Sequence, residues 1–297
     1  MNHNCIIILG PTASGKTKLA VETARLFNGE IISIDSRQVY KKLDIGTGKD
    51  LADYGEIPHH LIDVLEPTEN YHVHAFANDF YKAFGEIQLR GKSPVLCGGT
   101  GLYFDTVLKK NQLIAIPNNP TLRQVLATKT TAQLVEWIEK DTMAKNYKFD
   151  TSTQKRLVRA IEILEYLKIN PAPPIQFHEL KPVIFGRKTT LEQRRAYISW
   201  RLVDRLENGL IEEAENLIHS GVTHEQLQYF GLEYKFLSYY LLGKITRDQL
   251  FTQLETAIHQ YAKRQMTWWR KMEREGFIIN WVSDVEEIKT ILKKFDL

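Results

Sequence analysis

Three observations predict an α/β fold: a parallel sheet flanked by helices, with a helical insertion and a helical C-terminal part. First, β-branched apolar runs alternate with amphipathic segments through the first hundred residues, the pattern of strands joined by crossover helices. Second, the clearest runs each end in a polar or glycine-rich turn: Cys5–Leu9 at Gly10, Ile31–Ile34 at Asp35, Pro94–Cys97 at Gly98. Parallel sheets bind ligands at the carboxyl ends of their strands, so these three turns are expected to meet in one crevice. Third, the strand pattern breaks after Ile116-Pro117 and resumes only at Val183-Ile-Phe185.

The first run leads into Gly10-Pro-Thr-Ala-Ser-Gly15-Lys16-Thr17 and then the amphipathic stretch Lys18–Phe27. Strand, glycine-rich turn and helix in that order have the spacing of a phosphate-binding P-loop, which makes the expected core P-loop NTPase-like. The turn from Gly10 through Thr12, Ala13, Ser14 and Gly15 offers amides to an anion at a helix N-terminus. Lys16 is expected to reach a terminal phosphate, and Thr17 to ligate Mg²⁺. The motif does not say which phosphorylated molecule binds.

Ala75–Leu89 reads as a helix on Phe76, Phe80, Ala83 and Phe84. Residues 118–182 read as the insertion, leaving 1–117 and 183–297 as the core. Within the insertion, Thr121–Lys145 and Thr151–Lys168 look helical; Leu157, Ala160, Ile161 and Leu164 form an apolar stripe, with Lys155, Arg156 and Arg159 mostly off it. Pro171, Pro173, Pro174 and Pro182 then predict an irregular connection. Beyond it, Trp200–His219 reads as one helix closed by Gly221, and Thr246–Glu275 as a long helix. Ile278–Val282 reads as an edge strand and Val285–Lys294 as a closing helix.

Composition narrows the function classes. No run reaches the roughly 20 apolar residues of a membrane span, and the N-terminus enters a strand without a basic leader, so the cytoplasm is expected. Cys5 and Cys97 sit in strand-like runs and read as buried thiols, not a disulfide or zinc site. A monomer is the default. The net charge of +3 hides an asymmetry, because Lys148–Arg201 holds eleven basic against five acidic side chains. Such a block suits a polyanion larger than one nucleotide, or equally a solvated helix face.

Asp35 opens Asp35-Ser-Arg-Gln-Val-Tyr40. A carboxylate there is placed to hold Mg²⁺, to act as a general base or to cap a turn. Gly98-Gly-Thr-Gly-Leu-Tyr103 would let a ligand approach the backbone, with the Thr100 hydroxyl to bond it. Pro58-His-His-Leu-Ile-Asp63 lacks a third spaced metal ligand, which favours packing or a polar contact to the phosphate region. Lys263–Lys271 interleaves basic and aromatic residues, suiting base stacking or an ordinary helix with a wet face.

Six segments occur in order: GPTASGKT (10–17), DSRQVY (35–40), IGTGK (45–49), PHHLID (58–63), GGTGLY (98–103) and AKRQMTWWR (262–270). As a set the chain resembles the bacterial tRNA dimethylallyltransferase (tRNA isopentenyltransferase) family, from Ile6 to about Trp281. The resemblance implies Mg²⁺-dependent transfer of a dimethylallyl group from dimethylallyl diphosphate to N6 of the adenosine 3′-adjacent to the anticodon, releasing diphosphate. The implied partner is the tRNA anticodon stem-loop. The implied catalytic residues are Asp35 as base, with Thr100, Lys16 and Arg201. Implied tRNA contacts are Asp35, Ser36, Arg37, Gln38, Thr100, Arg123, Lys155 and Arg156.

Departures from the family pattern are specific. Lys155 replaces glutamine in the Asn-Asp-x-Gln-Arg run, leaving Arg156. Of the two arginines in Arg-Ile-x-x-Arg only Arg201 remains; Tyr197 takes the first position, with Arg194 or Arg195 as stand-ins. Gly231-Leu232 replaces Gly-Tyr, and Lys235 is retained. Three competing readings are a small-molecule kinase using ATP, a prenyltransferase of free adenine nucleotide, and a non-catalytic tRNA-binding protein. A kinase leaves the basic helices without a task. The nucleotide enzyme fits a chain lacking the insertion, and Asp35, Lys16, Thr17 and Thr100 argue for catalysis.

Overall fold

The computed structural model describes residues 3–175 and 177–293. The chain divides into two compact units, Met1–Leu108 with His178–Leu297, and Lys109–Phe177. The smaller unit thus opens and closes earlier than the 118–182 drawn from sequence. One reason is that Pro182 is already the first strand residue after the insertion, paired with Cys5.

The larger unit is built on six parallel strands in the order β3-β2-β4-β1-β5-β6. These are β1 Cys5–Leu9, β2 Gly29–Ile34, β3 His59–His60, β4 Ser93–Gly98, β5 Pro182–Arg187 and β6 Ile279–Val282. Ile7, Ile8 and Leu9 are fully buried, as an unbroken apolar run requires in a strand covered on both faces. The register sets Leu9 and Ile34 each opposite Gly98. Gly10, Asp35 and Gly99 therefore leave the sheet at one level on one edge. Cys5 and Cys97 are buried free thiols; burial pushes Cys97 up to about 11.

Three helices pack on this half: α1 Lys16–Leu26, α2 Val73–Leu89 and α3 Gly101–Lys109. α2 buries Phe76, Phe80 and Phe84 completely. The paired histidines are not the prelude to a strand but β3 itself. His60 Nε2 lies 2.7 Å from the buried Glu30 carboxylate, which Arg90 also holds at 2.7 Å. His60 thus makes a polar contact within the sheet, and the His59 ring lies 4.6 Å from that of Tyr54, centre to centre.

The smaller unit holds α4 Pro120–Ala127, α5 Thr131–Lys140 and α6 Gln154–Leu167. The single helix expected over 121–145 is broken twice. Thr130 and Gln133 form a reciprocal capping box that starts α5, and Asp141 caps a short 3₁₀ turn, accepting from Met143 N at 2.9 Å. All four residues of the predicted stripe are buried against Leu126, Leu134 and Ile138. Among them sits the fully buried carboxylate of Glu162, which takes Arg123 through two bonds of 2.8 Å and Asn119 N at 2.7 Å. Arg159 lies 3.6 Å from it and donates to Ile116 O at 2.6 Å. Glu162→Ala strands two guanidinium groups; because both are partly exposed, the loss is expected near the low end for a broken buried pair, about 3 kcal/mol. Denaturant unfolding of the variant checks this.

The C-terminal part begins with α7 Leu191–Glu207, started by a Thr190–Gln193 capping box, and α8 Leu210–His219. The one helix expected over 200–219 is two, because Gly209 between them adopts φ 100°, a left-handed conformation that stops the first. α9 His224–Tyr229 and α10 Leu232–Leu241 follow; the sequence reading did not anticipate either. α11 Arg247–Arg274 has the expected bounds, with Thr246 and Gln249 as its capping box. Trp269 is fully buried in the core, and its neighbour Trp268 is half-buried. β6 is the expected edge strand. α12 runs Val285–Leu292, and Lys294, predicted to close it, lies outside the described residues. No described helix is long and apolar enough to cross a membrane.

Candidate active site

A cavity of about 420 Å³ opens at the carboxyl edge of the sheet in the larger unit. Thr12, Lys16 and Thr17 line it from the P-loop, Asp35–Gln38 from the turn after β2, and Gly46–Gly48 from the following loop. Arg201 and Arg205 enter from α7, Tyr229–Glu233 and Lys235 from α9 and α10, and Tyr261, Arg264 and Gln265 from α11. The phosphate loop and Asp35 thus share one space. Thr100 is one step removed: its hydroxyl accepts from Ser36 N at 3.3 Å.

Ala13, Ser14 and Gly15 face a second recess, with Lys18, Arg187, Arg194 and Tyr197. The P-loop is the partition between the two. Gly10 lies at its base, where a Cβ would meet Ser14 Oγ at 2.9 Å and Arg187 Cβ at 3.2 Å. Arg187 Nε also donates to Ser14 O at 3.2 Å. Of the two stand-ins for the missing arginine, Arg194 lines this recess and Arg195 does not.

Burial pushes the Lys16 ammonium below its ordinary value, with Cys97 and Asp35 pulling the other way. Asp35 Oδ1 accepts from Arg37 N at 2.8 Å, so the turn-capping reading holds for one oxygen. Oδ2 has no hydrogen-bond partner among the described residues. Lys16, Arg37, Arg201, Arg205, Lys235 and Arg264 face two carboxylates, Asp35 and Glu233. Such a wall attracts a polyanion. Arg205 Nη1 lies 3.7 Å from Glu233 Oε1; burial lowers the first and raises the second. Arg201 pairs with Asp50. Arg37 stacks 4.3 Å over the half-exposed Tyr229 ring.

The wall at Gly46–Gly48 is pinned from two sides. Glu213 of α8 accepts from the amides of Asp44, Ile45 and Gly46 at 2.8–2.9 Å and from the Tyr234 hydroxyl at 2.7 Å. Lys49, fully buried, reaches Asp44 at 2.6 Å, the Tyr40 carbonyl at 2.7 Å, and Asp63. The IGTGK and PHHLID segments therefore serve one purpose. Gly46 is needed because a Cβ would strike the Tyr234 ring. Gln38 joins the same wall, its amide donating to Gly48 O at 3.1 Å and accepting from Ser33 Oγ at 2.9 Å.

The IPP transferase family model matches residues 38–272, and an isopentenyl transferase model matches 3–55. A Phocaeicola vulgatus protein named tRNA dimethylallyltransferase 2 is 48% identical over 94% of this chain and 92% of its own. One of the same name from Shewanella sediminis is 46% identical, covering 97% and 95%. The chain belongs to the IPP transferase family, that of the tRNA dimethylallyltransferases. The solved tRNA isopentenylpyrophosphate transferase of Bacillus halodurans superposes with a TM-score of 0.71 at 30% identity, covering 99% and 96% of the two chains. A eukaryotic dimethylallyltransferase acting on tRNA shares the fold, with a TM-score of 0.75 at 24% identity over 96% and 75%.

In this tRNA dimethylallyltransferase family member the smaller unit presents its candidate contacts unevenly. Arg123 is committed to Glu162. Arg156 pairs at the surface with Asp150 at 2.8 Å, an exposed bridge that holds little energy. Lys155 makes no ion pair among the described residues. Residues that sequence reasoning passed over are Tyr229, Glu233 and Arg205, on elements it missed or misjoined, and Glu213. Gln265 had a signal: a polar residue on the buried stripe of α11.

Proposed function

We propose that the cavity transfers a dimethylallyl group from dimethylallyl diphosphate to N6 of the adenosine 3′-adjacent to the tRNA anticodon. The supporting observation is the shared space of Lys16, Thr17 and the unbonded Oδ2 of Asp35. The bond from the allylic carbon to oxygen breaks, and its electron pair leaves with diphosphate. The P-loop amides and Lys16 neutralise that charge. The N6 lone pair forms the new bond, and the N6 proton passes to Asp35 Oδ2. An exocyclic amine conjugated into its ring is a weak nucleophile, and removing its proton as the bond forms contributes about 10²–10⁴-fold.

The described residues contain no cluster of three histidine, cysteine or carboxylate groups. The donor set suits a hard cation held mostly by phosphate oxygens, the habit of Mg²⁺. The Thr17 hydroxyl, which makes no hydrogen bond among the described residues, would be its protein ligand. When bound, Mg²⁺ supplies further charge neutralisation on the leaving diphosphate. The adenosine must be turned out of its stack to enter. Arg37, Lys235 and Arg264 are placed to meet its flanking phosphates, and the smaller unit supplies Lys155 and Arg156. Changing these last two to alanine is expected to weaken tRNA binding and flatten its salt dependence by about one to two units of slope. Titrations at several salt concentrations measure it.

The test is an incubation of the chain with labelled dimethylallyl diphosphate, Mg²⁺ and either unmodified tRNA or AMP. Label at the adenosine beside the anticodon supports the proposal. Label in AMP alone, or ATP turnover without prenyl transfer, overturns it.

A further inference from the structure

We infer that Gln265 is a positioning residue, which sets the distance between the diphosphate cradle and the proton acceptor. This rests on the functional reading above and extends it. Gln265 is buried on α11. Its Oε1 accepts from Thr12 N at 2.7 Å, and its Nε2 donates to Gly99 O at 2.9 Å. One planar amide thus bonds both glycine-rich turns. An N–H on one side and a carbonyl on the other allow a single amide orientation, and an amide offers that acceptor and donor without charge at every pH, which a carboxyl does only when protonated.

The consequences run toward both reacting ends. On one side, Thr12 N–H is committed to Gln265 and withdrawn from the amides aimed at diphosphate, which fixes where the loop begins to curl. On the other, Gly99 precedes Thr100, whose N–H donates to Ile34 O at 3.3 Å. The Thr100 hydroxyl accepts from Ser36 N at 3.3 Å, beside Asp35. Gly99 is needed for the approach, since a Cβ there would run into Gln265 Nε2. Bond breaking at diphosphate and proton acceptance at Asp35 belong to one transition state. A misplacement of about 1 Å between the groups serving them costs about 10²-fold, so the amide governs kcat more than the binding of either substrate.

Two variants test this. Gln265→Glu keeps the acceptor for Thr12 N but, ionised, turns a carboxylate oxygen toward the Gly99 carbonyl; protonated, its O–H restores the lost donor. A buried carboxyl in that setting titrates above its ordinary value. Gln265→Met keeps the length and offers no donor at any pH. At pH 8 both variants are expected to lose 10- to 100-fold in kcat, with inorganic diphosphate binding within about threefold of wild type. The ratio of Gln265→Glu kcat to wild-type kcat is expected to rise several-fold as pH falls from 8 to 6, while the Gln265→Met ratio stays flat. If Gln265→Met does not fold, the Gln265→Glu ratio alone decides. Variant kcat near wild type, a pH-independent Glu ratio, or diphosphate affinity falling in step with kcat would each overturn the inference. A wild-type chain that transfers no prenyl group overturns the functional reading and this inference with it; an active wild type with unaffected variants overturns this inference alone.

Discussion

Asp35→Ala is expected to lower prenyl-transfer turnover by about 10²–10⁴-fold and to leave affinity for inorganic diphosphate within a few-fold. Asp35 lines the cavity; its Oδ1 is occupied by the Arg37 amide at 2.8 Å, while Oδ2 has no hydrogen-bond partner among the described residues. Alanine removes both oxygens; Asp35→Asn keeps an acceptor for Arg37 N and removes only the basicity. Equal losses in the two variants assign the effect to proton transfer, whereas a much larger loss in alanine assigns it to the turn. Single-turnover rates with tRNA, beside diphosphate binding by calorimetry, separate these. A collapse of diphosphate affinity in Asp35→Asn would make Asp35 a metal ligand instead.

Lys16→Ala is expected to cost about 10²–10³-fold in kcat/KM, the scale for removing a preorganised charge from a developing anion, together with much of the diphosphate affinity. Its wild-type pH dependence follows from burial. The ammonium binds the anion and the neutral amine does not, and burial depresses the Lys16 value. Diphosphate affinity should therefore fall as pH rises, beginning below the ordinary lysine value of 10.5. Bound diphosphate restores the charge, so binding at alkaline pH takes up protons, which calorimetry in buffers of different ionisation enthalpy detects. Lys16→Arg should move the decline to higher pH, because guanidinium holds its proton.

The parallel half of the fold was legible because its signals are local. An apolar run that ends in a glycine or an aspartate states both a strand and the edge where its ligand lies, and Leu9, Ile34 and Gly98 do end level. Thr246 and Glu275 bounded α11 for the same reason. Failures came where one residue interrupts a continuing periodicity. Gly209 breaks a stripe that reads smoothly from Leu202 to Leu217, and Thr130 does the same within the insertion. More than a third of the cavity's lining residues come from α7, α9, α10 and the turn between the last two, so Arg205, Tyr229 and Glu233 were invisible until those elements were placed. Gln265 and Glu213 bond backbone groups distant in sequence, at Thr12, Gly99 and Asp44–Gly46. No spacing rule announces such contacts, although a lone polar side chain on a buried stripe points to one.

The most direct measurement is a crystal structure of the chain with Mg²⁺, a non-ionising allylic thiodiphosphate and an unmodified anticodon stem-loop. The expected result is diphosphate on the loop Gly10–Thr17, with the adenine N6 within about 3.2 Å of Asp35 Oδ2. Diphosphate bound away from that loop, or an adenine whose N6 lies beyond reach of residue 35, would contradict it.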